Sequence, residues 1–63
     1  MKLTLEEWRR VKKVSQEDMA KFLGIHVNTY RAWEEDPEKI RLSKAMLIAE
    51  KLEVPLDDIL FTH

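Results

Sequence analysis

The fold is decided by residues 15–34, which read SQEDMAKFLGIHVNTYRAWE and contain Gly24, the only glycine of the chain. Glycine adopts the left-handed backbone conformation at little cost, so Gly24 is expected just past the end of a helix, where the chain turns sharply. Ala20, four residues earlier, is small enough to let a second helix cross closely. Apolar residues lie on both sides of the turn: Met19, Leu23, Ile25, Tyr30 and Trp33. The stretch therefore predicts a helix-turn-helix, a motif whose second helix can enter the major groove of DNA.

Capping residues and the spacing of apolar side chains predict five helices along the chain. Thr4 and Glu7 match a capping box at the start of the first helix. Ser15 and Ser43 are favoured N-cap residues for the second and fourth helices, and His26 can cap the third. The predicted helices cover residues 5–13, 15–24, 27–35, 44–52 and 56–60. No stretch alternates apolar and polar residues with a period of two, so no sheet is expected.

The composition predicts one small domain spanning residues 1–63. Apolar residues make up 44% and charged residues 37% of the chain, which is typical of a folded protein rather than a disordered one. With no cysteine and only two histidines, His26 and His63, the sequence suggests neither a disulfide nor a zinc site. No apolar run approaches the ~20 residues that span a bilayer, and the N-terminus lacks a signal-peptide core. We therefore expect a cytoplasmic protein that binds no metal, no cofactor and no membrane.

The net charge of −1 is unusual for a protein that binds nucleic acid, because such proteins are commonly basic. The charges are nevertheless unevenly distributed. Lys39, Arg41 and Lys44 form a basic group without an intervening acid, whereas acidic residues gather in residues 34–38. We expect a polarised surface whose positive side can face phosphates, with binding weaker and more salt-sensitive than for a strongly basic domain. The alternative is that these charges only keep a small domain soluble.

The chain resembles the lambda-repressor-like helix-turn-helix family, also called the Cro/C1 or xenobiotic-response-element family. Four segments carry the resemblance, in order and at the family's spacing: SQEDMA at 15–20, LGI at 23–25, TYRAWE at 29–34 and IAEKLEVPLDDIL at 48–60. The resemblance implies an all-α fold, a compact five-helix domain in which helices two and three form the DNA-reading pair. Three positions depart from the family's pattern. His26 stands where serine or threonine is usual, Ala32 where many members carry a longer polar residue, and Glu53 where glycine is usual.

Val27, Asn28 and Arg31 lie near the start and along one side of the predicted third helix, and we predict that they read bases. Asn28 carries both a donor and an acceptor, which suits the major-groove edge of adenine, and Val27 can meet a thymine methyl group. For Arg31 three partners remain open: a guanine, a phosphate, or Glu35 one turn further on. The alternative for the whole group is an ordinary polar helix face.

A second group of residues is predicted to contact the phosphate backbone. Gln16 is expected at the N-terminus of helix two, where unpaired amides and the helix dipole favour an anion, and the resemblance implies the same role. His26 is expected to touch phosphate rather than base. Lys39, Arg41 and Lys44 flank the loop between helices three and four, where basic side chains can hold the phosphates beside the groove.

The resemblance also implies that Arg9 lies opposite Glu34 and links helix one to the end of helix three. A partly buried ion pair of this kind fixes orientation more than it adds stability, but loss of one partner strands the other charge. We therefore predict that Arg9→Ala destabilises the fold and misplaces the third helix.

Together these features predict a sequence-specific DNA-binding transcriptional regulator of the Cro/repressor type, with residues 27–35 in the major groove. A module of this size contacts little surface, so we expect a homodimer on double-stranded DNA with a pseudo-palindromic operator. The alternative is a protein-interaction module, such as an antitoxin or antirepressor, that uses the same fold. The sequence has no glycine-rich phosphate loop, cysteine nucleophile or recognisable Ser–His–acid arrangement, so neither catalysis nor a small-molecule substrate is expected.

Overall fold

The computed structural model describes residues 1–61 of the chain. These residues are mostly helical, and two 3-10 turns, Pro37–Lys39 and Leu56–Asp58, connect the last elements. The helices and strands run in the order β1 (Leu3–Thr4), α1 (Leu5–Val11), α2 (Gln16–Leu23), α3 (Val27–Glu35), α4 (Leu42–Leu52) and β2 (Ile59–Leu60). Among the described residues, none of the helices is both long and apolar enough to cross a membrane.

The prediction of five helices and no sheet is wrong at the C-terminal end. Within residues 1–61 there are four α-helices, and the segment predicted as a fifth forms the 3-10 turn Leu56–Asp58 followed by β2. β2 pairs in parallel with β1, so that Leu3 lies opposite Ile59 and Thr4 opposite Leu60. A segment of this length cannot offset the cost of helix nucleation, whereas the extended backbone lets Ile59 reach the core.

Two helix boundaries also differ from the prediction. The first helix ends at Val11, two residues early, and Lys13 takes the left-handed conformation with φ 58°. The fourth helix begins at Leu42, with Arg41 at the N-cap and no side-chain cap. The predicted capping role of Ser43 is therefore wrong, because the backbone is already helical there and the Arg41 carbonyl accepts from the Ala45 amide at 2.9 Å.

The remaining caps form as the sequence predicts. The Thr4 amide donates to Glu7 Oε1 at 2.9 Å and the Glu7 amide donates to Thr4 Oγ1 at 3.2 Å, which completes the capping box. Those hydrogen bonds also lower the pKa of Glu7. Ser15 Oγ accepts from the Asp18 amide at 3.0 Å. These caps set where α1 and α2 begin and so fix the directions in which the two helices leave their turns.

The core lies where the four helices and β2 meet. Its largest fully buried side chains are Tyr30, Leu5, Met19, Ile48 and Leu52. Trp8 is also buried, and its indole Nε1 donates to the Asp58 carbonyl oxygen at 2.8 Å. This bond ties α1 to the turn before β2 and so adds to the pairing between β1 and β2.

Candidate nucleic-acid interface

The turn between α2 and α3 is built around Gly24. Its φ of 70° and ψ of 32° place it in the left-handed region, as predicted from the sequence. The Gly24 amide donates to the Lys21 carbonyl at 3.2 Å, and the Ile25 amide donates to the Ala20 carbonyl at 3.0 Å. Both bonds satisfy carbonyl groups that the end of a helix otherwise leaves unpaired. Residues 24–26 therefore form a compact turn that holds α3 at a fixed angle to α2.

The N-terminus of α3 is capped by a histidine. His26 Nδ1 accepts a hydrogen bond from the Asn28 amide at 3.0 Å, as the sequence predicted for this position. The acceptor is the unprotonated ring nitrogen, so the bond requires that Nδ1 carry no proton. His26 is exposed beside the first turn of α3.

The third helix has one buried side and one exposed side. Tyr30 is fully buried, and burial raises the pKa of its hydroxyl. Val27 is partly buried and packs against the core, which leaves it at the border of the exposed side. Asn28, Arg31 and Ala32 are exposed. We refer to these last three residues as the reading face of α3.

The two polar residues of the reading face are joined to each other and to α2. Arg31 NH1 donates to Asn28 Oδ1 at 3.0 Å, and Arg31 Nε donates to Gln16 Oε1 at 3.2 Å. The carboxylate of Glu17 lies 3.9 Å from Arg31 NH2. Three residues predicted to contact DNA therefore form one hydrogen-bonded chain across the helix-turn-helix.

The ion pair between Arg9 and Glu34 lies behind this chain. Arg9 Nε donates to Glu34 Oε2 at 2.7 Å and Arg9 NH2 to Oε1 at 3.4 Å, and the two side chains are only 12% and 5% exposed. Arg9 NH1 also donates to the Val14 carbonyl at 3.0 Å. Burial by itself would raise the pKa of Glu34, but the Arg9 guanidinium, the Tyr30 hydroxyl and the Gln16 amide outweigh it and hold that pKa below its usual value.

Gln16 connects the ion pair to the reading face. Its Nε2 donates to Glu34 Oε1 at 2.9 Å while its Oε1 accepts from Arg31. The hydrogen bonds therefore run without a break from Arg9 to Asn28. No pattern in the sequence indicates this link, because it depends on the angle at which α2 crosses α3.

The basic residues predicted to hold phosphates lie elsewhere. Lys44 Nζ donates to the Leu23 carbonyl at 3.2 Å and so supports the C-terminus of α2. Lys39 Nζ lies 3.8 Å from Asp36 Oδ2, and Arg41 is exposed at the N-cap of α4. Within residues 1–61, no hydrogen bond joins these three cations to the chain that contains Gln16 and Arg31.

An open depression of about 390 Å³ borders the reading face. Five residues line it, of which three are acidic (Glu6, Glu34 and Glu35) and two are not (Gln16 and Arg31). Carboxylates at this position repel phosphate, so the depression is a poor anion site. In the part of the chain that the structure describes, no group of three or more His, Cys, Asp or Glu side chains is arranged to hold a metal ion.

Comparison with known proteins points to the same elements. A family model described as Helix-turn-helix matches residues 5–59. The match runs from the first residue of α1 to the first residue of β2 and so includes all four helices. No curated protein and no solved structure matches the chain.

Proposed function

Because the chain belongs to the helix-turn-helix family of the lambda-repressor-like, Cro/C1 type, a family of DNA-binding transcription regulators, we propose that it is a sequence-specific regulator of the Cro/repressor type. In this proposal α3 enters the major groove and its reading face meets base edges. The observation that carries the proposal is the two-sided character of α3. Tyr30 anchors one side in the core, while Asn28, Arg31 and Ala32 leave the other side open.

The proposed interface continues beyond α3 along the phosphate backbone. Lys39, in the turn that follows α3, and Arg41, after that turn, are exposed, and we propose that their positive charges meet phosphates. His26 lies exposed at the opposite end of α3 and is the third proposed phosphate contact. Glu17, exposed near Arg31, opposes these charges. We therefore expect modest affinity that falls steeply as salt rises.

We further propose that two copies act together on a pseudo-palindromic operator. One copy buries little surface on DNA, and a two-fold dimer places two recognition helices about 34 Å apart, one turn of the double helix. Met46 and Leu60 are exposed apolar side chains available for the contact between copies. Inserting half a helical turn, about 5 bp, between the two half-sites should weaken binding, because the second helix then faces the wrong side of the DNA.

The test is selection of bound duplexes from a randomised library, repeated at several salt concentrations. Enrichment of one motif, with affinity that depends on both motif and salt, supports the proposal. Lys39→Gln and Arg41→Gln should each reduce the salt slope by about 1, since each removes one phosphate contact. Lys51→Gln is the matched control. It removes one positive charge from α4 and should leave the salt slope unchanged. Lys51 Nζ lies 5.5 Å from the centre of the Phe22 ring.

Two results would contradict the proposal. One is failure to enrich any motif, which would favour a protein-interaction module such as an antitoxin or antirepressor. The other is equal loss of affinity in all three charge variants, which would mean that binding follows total charge rather than an oriented interface.

A further inference from the structure

The hydrogen bonds among Gln16, Arg31 and Asn28 carry information about which base the reading face selects. We propose that these three residues act as one unit that directs the hydrogen-bond donors of Arg31 and Asn28 to the groove and therefore prefers guanine over adenine. This inference rests on the proposed function and adds to it the chemical identity of one base. It departs from the sequence-based expectation, which made Asn28 a reader of adenine and Gln16 a phosphate contact.

The orientation of both side-chain amides is fixed by their partners. Gln16 lies between Glu34, a carboxylate that can only accept, and Arg31, a guanidinium that can only donate. Exchanging the oxygen and nitrogen of its amide would place two donors face to face and two acceptors face to face. The same reasoning applies to Asn28, whose Oδ1 lies 3.0 Å from Arg31 NH1. The amide nitrogen of Asn28 is therefore at the end away from this bond.

The outward chemistry of the unit follows from this orientation. Arg31 has no acceptor atom, and its side chain is 49% exposed. Asn28 is exposed, and its acceptor oxygen faces Arg31, so its NH₂ group is the part of the amide directed away from Arg31 and open to a base. Guanine presents two adjacent acceptors, N7 and O6, in the major groove, whereas adenine presents one acceptor and one donor. The outward donors of Arg31 and Asn28 can pair with both guanine acceptors, whereas on adenine one of these donors would face the N6 amino group, which is itself a donor.

The unit is anchored by a buried group, which is why its donors have a defined direction. Gln16 Nε2 is held at 2.9 Å by Glu34, whose side chain is 5% exposed. Gln16 in turn fixes the Nε–H edge of Arg31. Gln16 is thus a positioning residue, and Arg31 is the residue that contacts the base. Glu17 lies 3.9 Å from Arg31 and is exposed, so water screens its hold on the guanidinium and a base can replace it.

The test begins with the full chain and a randomised duplex library. The enriched motif should contain one guanine whose preference disappears in Arg31→Ala while the other positions of the motif are kept. Replacing that guanine with 7-deazaguanine, which lacks the N7 acceptor, should weaken binding of the wild-type protein by about 10-fold. The same base replacement should leave the affinity of the Arg31→Ala variant unchanged. Arg41→Ala is the control, because it should lower affinity without altering base preference.

Two further variants separate positioning from folding. Asn28→Asp keeps an oxygen for Arg31 but replaces the outward NH₂ with an acceptor, so the motif should shift toward cytosine, whose N4 amino group donates. Gln16→Ala should broaden the preference at the guanine position alone. Asn28 and Arg31 are exposed, so their variants should remain folded, which near-UV circular dichroism would verify.

The outcomes distinguish this inference from the function on which it rests. A motif that prefers adenine, with a preference lost in Asn28→Ala, would overturn the inference and leave the proposed function intact. So would a guanine preference that survives Arg31→Ala. Failure to enrich any motif would overturn both.

Discussion

Replacing Arg9 by methionine tests how strongly the fold depends on the ion pair behind α3. The guanidinium makes three hydrogen bonds, two to Glu34 at 2.7 and 3.4 Å and one to the Val14 carbonyl at 3.0 Å. Methionine fills similar space but donates nothing, so Glu34 remains as a carboxylate that is 5% exposed, keeps its hydrogen bond from Gln16 and loses the positive charge of Arg9. Stranding a buried charge in this way costs about 3–5 kcal/mol.

That cost is comparable to the whole stability of the domain. At about 0.05–0.15 kcal/mol per residue, a chain of 63 residues is stable by about 3–9 kcal/mol. Arg9→Met alone is therefore expected to be marginally folded. Adding Glu34→Gln removes the stranded charge and keeps an oxygen for Gln16. The double variant should regain about 2–3 kcal/mol relative to the sum of the two single changes.

The assay is urea unfolding followed by tryptophan fluorescence, with both single variants and the double variant forming a complete cycle. Arg10→Met is the matched control on the same helix. Arg10 pairs with Glu6 at 2.8 Å, but the two side chains are 72% and 50% exposed, so its loss should cost less than about 1 kcal/mol. If Arg9→Met costs no more than Arg10→Met, or if the cycle is additive, the buried-pair reasoning is refuted.

Three further predictions concern single features of the fold. Glu53 ends α4 with φ 58°, so Glu53→Gly should relieve about 1 kcal/mol of backbone strain. Gly24→Ala should lower the stability by about the same amount. Nothing lies within 4 Å of the added carbon, so the strain comes from the φ of 70°. Thermal melts should show opposite shifts of roughly 4–8 °C. Trp8→Phe should lower the free energy of unfolding by about 1–2 kcal/mol, measured in urea, because it removes the 2.8 Å bond to the Asp58 carbonyl. Because the pKa of Glu34 is lowered from 4.5, its contribution to stability is complete above that pH and is lost as the pH falls through the folded value. Urea unfolding across the acid range should therefore show a shallower loss in Glu34→Gln than in the wild type.

The central part of the fold was predictable because its signals are local. Gly24 needs only its own backbone freedom to end α2, and Ser15 and His26 each cap a helix within three residues along the chain. Such interactions involve residues that are close together in the sequence, so the sequence alone indicates them. The lambda-repressor-like resemblance over residues 15–34 depends on the same positions.

The errors lie where distant residues decide the structure. Whether residues 56–60 form a helix or a strand depends on pairing with Leu3 and Thr4 at the other end of the chain. No local pattern in the sequence indicates that contact. The preference of Asp57 and Asp58 for a helix N-terminus instead favoured a helix over residues 56–60. Glu53 is a milder case. The left-handed conformation persists there although glycine is absent, because hydrogen bonds to Ala49 and Glu50 carbonyls complete the cap.

The sequence predicted which residues belong to the candidate site but not how their side chains are oriented. The sequence indicated that Asn28 and Arg31 share a side of a helix, since they are three residues apart. It could not show that Gln16, on another helix, holds Arg31 in place or that Asn28 turns its oxygen toward Arg31. Those orientations depend on how α2 packs against α3, which is a property of the folded domain.

The most direct test of the proposed interface is the affinity of Ala32→Glu for a selected duplex. Ala32 lies on the reading face and is exposed, so glutamate should leave the fold unchanged while placing a negative charge against the groove. We expect affinity to fall on the order of 100-fold, since like-charge contacts cost several kcal/mol. Lys51→Gln changes the net charge equally and should bind as the wild type does. If Ala32→Glu also binds as the wild type does, α3 does not enter the groove.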